Sequence, residues 1–373
     1  MLYAVMQIIF LFLDFIYLFI KLCPTRHKVV FLSRQSNKPS NDITMIVNRL
    51  HEVDPAIETV VLCRKLEGGI KAKLSYIGHM FIQMYHIATS ETAVLDSYCI
   101  VISCLHHKKS LKVIQMWHAL GCIKKFGYGA IGKSGGSSLK IARAMHMHEK
   151  YDIVFTASED TRQAFSEAFN VSPDIIVNAP LPKVDVLRDR ELTRQKEEEI
   201  KNKYPQMKDK TNIVYAPTFR ADDSILEKAI YELIDSLDFG RYNLIICLHP
   251  LSKFVINDPR VIVDKNYYTY EMASVADAVI TDYSATAYEM ALMDKRLYYY
   301  VFDSDSYASE RGYYMPLSEF PGPKCRDLKS LLTEIDKPDY DQQAVRDFVN
   351  KYFDPSITNC TDHIVNIILD KKK

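Results

Sequence analysis

The stretch Ala278-Val-Ile-Thr-Asp-Tyr-Ser-Ala-Thr-Ala-Tyr-Glu-Met-Ala-Leu-Met293 decides how this sequence is read. Its first residues, 278–281, are apolar or β-branched and make a short buried strand. Asp282 and Tyr283 turn the chain, and the pattern predicts a helix opening at Ser284. A helix start offers unpaired backbone N–H groups, a hydroxyl at the N-cap and the positive end of the macrodipole. That combination binds phosphate without needing a cation. Glu289, on the same helix, would reach ribose hydroxyls behind the phosphates. An ordinary capped strand-to-helix connection would read the same way, so the rest of the chain has to decide.

Working outward, strand and helix patterns alternate along the sequence. Strands are expected at 28–33, 58–63, 99–105, 112–117 and 152–157, and again at 212–216, 242–248, 260–263, 278–281 and 296–301. Helices fit at 42–53, 69–87 and 160–169. Short apolar strands joined by helices imply parallel sheets covered on both faces. The expectation is therefore an α/β protein with two Rossmann-like domains. Residues 187–210, dense in Arg, Lys and Glu, read as a solvated helix with charge pairs between the halves. The division expected is a hydrophobic helix over 1–24, domains over 25–185 and 186–345, and a C-terminal helical stretch over 346–373 packing across both.

With 373 residues, two domains of ordinary size fit. Lys+Arg and Asp+Glu are equal at 47 each, so no global field points to nucleic acid, and anion binding has to be local. The eight cysteines are scattered without a CxxC pair, which argues against a metal site and a disulfide framework and for a reducing compartment. No carboxylate cluster suggests a metal, although Asp222-Asp223 keeps the question open.

The first 20 residues, MLYAVMQIIFLFLDFIYLFI, are nearly all apolar and lack the basic start and small-residue cleavage site of a secretory signal. Gln7, Asp14 and Lys21 recur every seven residues and form one narrow polar stripe on a helix, drifting by about 20° per heptad. A helix in the membrane interface or against partner helices, a tilted span, and a helix packed on its own domain all fit. A central Asp costs roughly 2.5–3.5 kcal/mol in a span, which favours the interface. Lys21, Arg26, His27 and Lys28 place the following domain on the cytoplasmic side in either membrane case.

Polar residues that do not suit a core gather where strands end, which is where open α/β sheets bind ligands. Gln115-Met-Trp117-His118 ends an apolar strand and leads to Gly121, Lys124 and Lys125. A histidine at the mouth of a sheet can act as a general base near neutral pH, or simply cap the sheet through a backbone hydrogen bond. Gly132–Ser138 lacks Walker spacing and reads as a loop, with Lys133 a weak contact. Tyr215-Ala-Pro217-Thr218-Phe-Arg220 delivers an arginine whose planar fork suits phosphate. Cys247-Leu-His249-Pro250 supplies a second strand-end histidine, with Lys253 beyond it. Two such histidines in different halves, with Arg220 and the Ser284 helix start, point to a cleft for a diphosphate.

WHxxG…KK, YAPTFR, LHP and TDYS before a helix, in that order over most of residues 28–350, closely resemble motifs of the CDP-glycerol glycerophosphotransferases of teichoic acid synthesis. The resemblance implies a GT-B-type architecture and a place at the cytoplasmic face of the cell membrane. The implied activity is transfer of glycerol phosphate or ribitol phosphate from a CDP-polyol, without a cofactor, releasing CMP. The implied acceptor is an undecaprenyl-diphosphate-linked saccharide or a polyol phosphate, and a homo-oligomer is compatible with it. His118 would be the base beside the acceptor hydroxyl, and His249 would hold the donor diphosphate. Thr218, Arg220, Pro250, Asp282, Ser284, Ala285, Thr286 and Glu289 would form the donor site, with Trp117, Lys124 and Lys125 on the acceptor side. The chain departs from the family pattern at WHAL, where the glycine is delayed to Gly121, and at Ser284-Ala285, where paired serines are usual. The rival reading is a GT-B glycosyltransferase using a nucleotide sugar, and a third is a membrane-anchored binding subunit without activity. Length leans slightly toward a primase or short-chain enzyme.

Overall fold

The structure, a computed structural model, describes residues 2–66, 68–133, 136–220, 222–305 and 312–372. The chain divides into two compact units, one of 1–120, 125–183 and 354–373, the other of 121–124 and 184–353. The segment 121–124 thus lies with the second unit rather than within an unbroken first domain. Of the C-terminal stretch, Gln342–Tyr352 lies in the second unit and Cys360–Leu369 in the first.

The first unit holds six strands: β1 Lys28–Ser33, β2 Glu58–Cys63, β3 Thr92–Leu95, β4 Lys112–Gln115, β5 Ile153–Thr156 and β6 Ile176–Asn178. All pair in parallel in the order β2-β1-β3-β4-β5-β6. Helix Asn41–Val53 starts at Ser40, whose side chain accepts from the Ile43 amide, and buries Ile43, Ile46 and Leu50 at helical spacing. The apolar run 99–105, expected as a strand, is helical over Ile100–Cys104. The strand is the shorter run Thr92–Leu95, fully buried beside β1. A short apolar run carries no periodicity that separates strand from buried helix. At the start of β4 the buried Lys112 donates through Nζ to the carbonyl oxygens of Ile367 (2.7 Å), Ile368 (2.9 Å) and Asp370. It thereby caps the C-terminal end of helix Cys360–Leu369 with a cation.

Helix Leu2–Ile20 packs on the first unit through its polar stripe. Asp14 accepts from the His106 amide at 2.8 Å, Tyr17 hydrogen-bonds His107 Nδ1 at 2.9 Å, and Lys21 donates to the His106 carbonyl at 2.6 Å. The opposite side leaves Ile8, Leu11, Phe12, Phe15, Leu18 and Phe19 exposed. Among the described residues no helix is long and apolar enough to cross a membrane.

The second unit holds β7 Thr211–Tyr215, β8 Tyr242–Ile246, β9 Val261–Ile262, β10 Ala278–Thr281, β11 Arg296–Tyr300 and β12 Lys324–Cys325. These are again parallel, in the order β12-β11-β10-β7-β8-β9. Helix Asp223–Ser236 covers the sheet with Leu226, Ile230, Leu233 and Ile234, packed against Ile213, Leu244 and Ile280. The charged region is two helices, Lys183–Arg188 and Arg190–Lys203. The longer one buries Ile200 and carries Arg194–Glu191 and Lys201–Glu197 ion pairs on its wet face.

Candidate active site

In each sheet the strand order reverses at one place, and the strand ends beside that reversal are where an open α/β sheet leaves room for a ligand. In the second unit the reversal falls between β7 and β10. The chain after β7 brings Thr218 and Arg220, and the chain after β10 brings Asp282, Tyr283 and Ser284. Asp282 is fully buried and accepts from the backbone amides of Thr218 (3.0 Å to each oxygen) and Tyr283 (2.6 Å). Arg220 is 7% exposed and donates to Asp282 (2.9 Å) and to Asp303 (2.7 and 3.1 Å), just past β11, and to the Thr218 carbonyl (2.8 Å). Burial opposes its charge, but Asp282 and Asp303 outweigh that and raise its pKa. Most of its fork is therefore spent on pinning two strand ends, and its bearing on a phosphate is largely indirect.

The helix after β10 runs Thr286–Leu292, two residues later than expected, with Ala285 at its N-cap. Ser284 Oγ accepts from the Thr286 amide at 3.2 Å and donates to the Thr286 hydroxyl at 3.0 Å. The Ala287 amide is bonded to the Ser284 carbonyl and the Tyr288 amide to that of Ala285. The backbone N–H groups of Ser284 and Ala285 have no acceptor among the described residues. These two amides, rather than those further into the helix, are the ones available to an anion. Glu289 is half-buried on the same helix.

His249, beyond β8, is exposed, and its Nδ1 accepts from the Leu251 amide at 3.2 Å across the turn made by Pro250. A backbone N–H can only donate, so Nδ1 holds the lone pair and neutral His249 carries its proton on Nε2. Burial lowers its pKa, and the charge of Lys124 pushes the same way. Lys124, expected on the acceptor side, stands in the second unit, where its Nζ donates to Thr218 Oγ1 at 3.4 Å. The physical reason is a local pairing: Lys124 bridges to Tyr313, and the Tyr314 amide bonds the Ile123 carbonyl. Gly121 allows this, because a Cβ there would lie 2.4, 2.6 and 2.8 Å from ring carbons of the buried Tyr288. That ring is itself wedged among Phe320, Phe348, Tyr352 and Phe353. Gly121→Ala should destabilise the protein by about 1–3 kcal/mol through overpacking and raise the KM for the donor by displacing Lys124. Thermal unfolding and donor kinetics check this, and an unchanged Tm would refute it.

In the first unit the reversal falls between β1 and β3, with β4 beside β3. Trp117 follows β4 in a left-handed conformation (φ 60°), rare for a bulky residue. Its amide donates to Gln115 Oε1 at 2.9 Å, its ring stacks on Phe126, and Phe169 packs edge-on. The turn leaves His118 at the mouth of the sheet, open to solvent. His118 Nδ1 lies 2.8 Å from the Asp96 carbonyl, an acceptor, so Nδ1 carries the proton and Nε2 holds the lone pair. Crowding by protein lowers its pKa and the charge of Lys183 adds to this, against the raising effect of the Asp96 hydrogen bond. Lys125 pairs with Glu167 at 3.0 Å. Lys133 is exposed, while Ser134 and Gly135 of its loop lie outside the described residues.

The structure thus gathers Thr218, Arg220, Asp282, Ser284, His249 and Lys124 in the second unit, and Trp117 and His118 in the first. Asp222 and Asp223 are occupied otherwise: the first caps helix Asp223–Ser236, the second accepts from the Lys253 amide. Among the described residues no three His, Cys, Asp or Glu side chains assemble as a metal site. The sequence reading missed Asp303, Asp96 and Gln35, whose side-chain amide lies 3.2 Å from His118 Nδ1. Asp303 and Gln35 both follow an apolar strand, the same position that singled out the two histidines.

A sequence profile described as CDP-glycerol:poly(glycerophosphate) glycerophosphotransferase matches residues 15–370, and the chain belongs to that family. It is accordingly an enzyme of the CDP-polyol phosphotransferase type. It is similar to the teichoic acid ribitol-phosphate primase of Bacillus spizizenii, at 28% identity over 93% of this chain and 92% of that one. The teichoic acid poly(ribitol-phosphate) polymerase of the same organism is also 28% identical, over 82% of this chain, and the match spans only 50% of that longer protein. Among solved structures, the wall teichoic acid polymerase TagF has a TM-score of 0.72 at 20% identity, covering 92% of this chain and 88% of that one. That likeness speaks for the shared α/β fold with its two parallel sheets.

Proposed function

We propose that the enzyme moves glycerol phosphate or ribitol phosphate from its CDP-polyol to a hydroxyl of a lipid-linked saccharide or polyol-phosphate acceptor, releasing CMP, in the synthesis of teichoic acid or a related surface polymer. The observation that carries this reading is the opposite placement of the proton on the two strand-end histidines. His118 offers a lone pair at Nε2 and suits a base, whereas His249 offers an N–H at Nε2 and suits a diphosphate oxygen. In the proposed step, His118 Nε2 takes the proton of the acceptor hydroxyl. The freed oxygen attacks the polyol-bearing phosphorus in line, and the bridging P–O bond breaks toward CMP. His249, Lys124 and the Ser284 and Ala285 amides stabilise the charge gathering on the leaving group.

The two units correspond in this reading to the halves of a GT-B-type architecture, with the donor on the second and the acceptor on the first. Membrane attachment is supported by the outward apolar side of helix Leu2–Ile20, with Ile77, Phe81 and Ile82 exposed on helix Ile70–Ala88, against which it packs. An apolar face of this size suits insertion into the headgroup region of the cytoplasmic leaflet. The test is incubation with CDP-glycerol or CDP-ribitol and a lipid-linked disaccharide, followed by nucleotide and product-mass analysis. CMP with a product heavier by one or more polyol phosphates is expected. Turnover of a nucleotide sugar with release of a nucleoside diphosphate would establish the glycosyltransferase instead.

A further inference from the structure

Arg34 and Arg64 stand side by side just past the ends of β1 and β2, whose last residues, Ser33 and Cys63, are paired in register. The Arg64 amide is bonded to the Ser33 carbonyl at 2.9 Å, which fixes the two residues as neighbours. Neither forms an ion pair among the described residues. Arg34 uses one of its guanidinium donors, Nη1 to the Tyr98 carbonyl at 3.3 Å, and its Nε–H is buried without an acceptor. Arg64 donates from Nη2 to Ser75 Oγ at 2.6 Å. Both guanidinium charges act on Tyr76, and neither is bonded to a carboxylate among the described residues. Helix Ile70–Ala88 adds Tyr76 and His79, 7% and 8% exposed, whose OH and Nε2 are also buried without a partner. Tyr76 lies within the fields of both arginines and His79 within that of Arg64.

This cluster borders the catalytic histidine. The side-chain amide of Gln35, the next residue, lies 3.2 Å from His118 Nδ1, and with the Asp96 carbonyl fixing a proton on Nδ1 that amide turns its oxygen to it. Asp96-Ser97-Tyr98 serves both groups: its first carbonyl holds His118, the Ser97 hydroxyl accepts from the Arg34 amide, and the Tyr98 carbonyl accepts from the Arg34 side chain. Arg34 follows β1 at the reversal between β1 and β3, where a ligand is expected on topology alone, and Arg64 follows β2 on the other side of β1. Asp96 is the neighbouring carboxylate; burial raises its pKa against the lowering effect of the Ser33 and Ser97 hydroxyls.

We infer that Arg34 and Arg64 form an anion subsite in the first unit that holds a phosphate group of the acceptor and presents its hydroxyl to His118. Two arginine forks match the oxygens of a phosphodiester or diphosphate in shape and charge. The inference rests on the phosphotransferase reading above, and the chemistry fits either a terminal polyol phosphate or the diphosphate of the lipid link.

The test compares the wild type with Arg64→Gln, at a partly exposed position that tolerates change, and Arg34→Gln. One acceptor carries a terminal glycerol phosphate and the other only its lipid diphosphate. Expected is a rise on the order of tenfold or more in the acceptor KM, with the donor KM within about twofold of wild type. An effect confined to the first acceptor assigns the polyol phosphate, and an effect on both assigns the diphosphate. Unchanged acceptor KM with both variants overturns the subsite. Trp117, the single tryptophan, has its ring centroid 4.1 Å from that of His118 and reports acceptor binding by fluorescence without turnover. A wild type that releases no CMP but binds the acceptor about tenfold tighter than Arg64→Gln would overturn the phosphotransferase reading and leave the subsite standing. Equal binding by both proteins would overturn the subsite.

Discussion

His118→Ala lowers kcat by about 100- to 10,000-fold, the usual worth of a general base, while the affinity for the CDP-polyol stays near that of the wild type. The separation of effects follows from position: His118 is held by Asp96 in the first unit, while the donor contacts proposed are on the second. The pH profile carries the same information. Only neutral His118 accepts a proton, and its pKa is pushed below the usual imidazole value by crowding and by Lys183. Activity should therefore hold across neutral pH and fall as the pH drops through that lowered pKa, and the acid limb should vanish in the residual activity of His118→Ala. Steady-state kinetics against pH, with equilibrium titration of CDP-glycerol, measures both. Undiminished turnover would remove His118 from the base role, and lost donor affinity would move it to the donor site.

Arg220→Ala unfolds the protein more readily by about 3–5 kcal/mol, because it strands the fully buried Asp282 and the half-buried Asp303 at the ends of β10 and β11. Asp282 and Asp303 would then lose the guanidinium that bridges them, while Asp282 still anchors the Thr218 and Tyr283 amides. Arg220→Lys recovers little, since one ammonium cannot reproduce bonds made by both Nε and Nη2. Adding Asp303→Asn to Arg220→Ala recovers part of the loss by removing one of the stranded charges. Denaturant midpoints of the four proteins decide the matter. A wild-type midpoint for Arg220→Ala would mean that the arginine is held by the carboxylates but is not needed by them.

The strands of both sheets were readable where an apolar run had polar flanks on each side, as in Lys28–Ser33 and Tyr242–Ile246. Ile176–Asn178 and Lys324–Cys325 were not, being too short to show a period. Thr92–Leu95 was lost to a longer apolar run next to it, which buries all round and needs no alternation to do so. The strand-end rule located the histidines, because a polar residue after a buried strand has one place to go. Arg220 was also located, but its use was not legible, since Asp303 is 83 positions away in the chain. The same limit hid the partnership of Lys124 with Thr218, 94 positions apart. The N-terminal helix was legible from its narrow polar stripe, but its docking was not. Of the three readings that fitted, the structure shows the helix packed on its own unit, with Asp14 and Lys21 of the stripe on His106 and Tyr17 beside it on His107.

Lys112 sets an order on biosynthesis. Its ammonium sits buried in the first unit and is satisfied by carbonyls of residues 367, 368 and 370. A ribosome delivers those residues only after every strand of the second unit has emerged. Until then the nascent first unit holds an uncapped cation at the foot of β4, so the half that is made first is the half that finishes last.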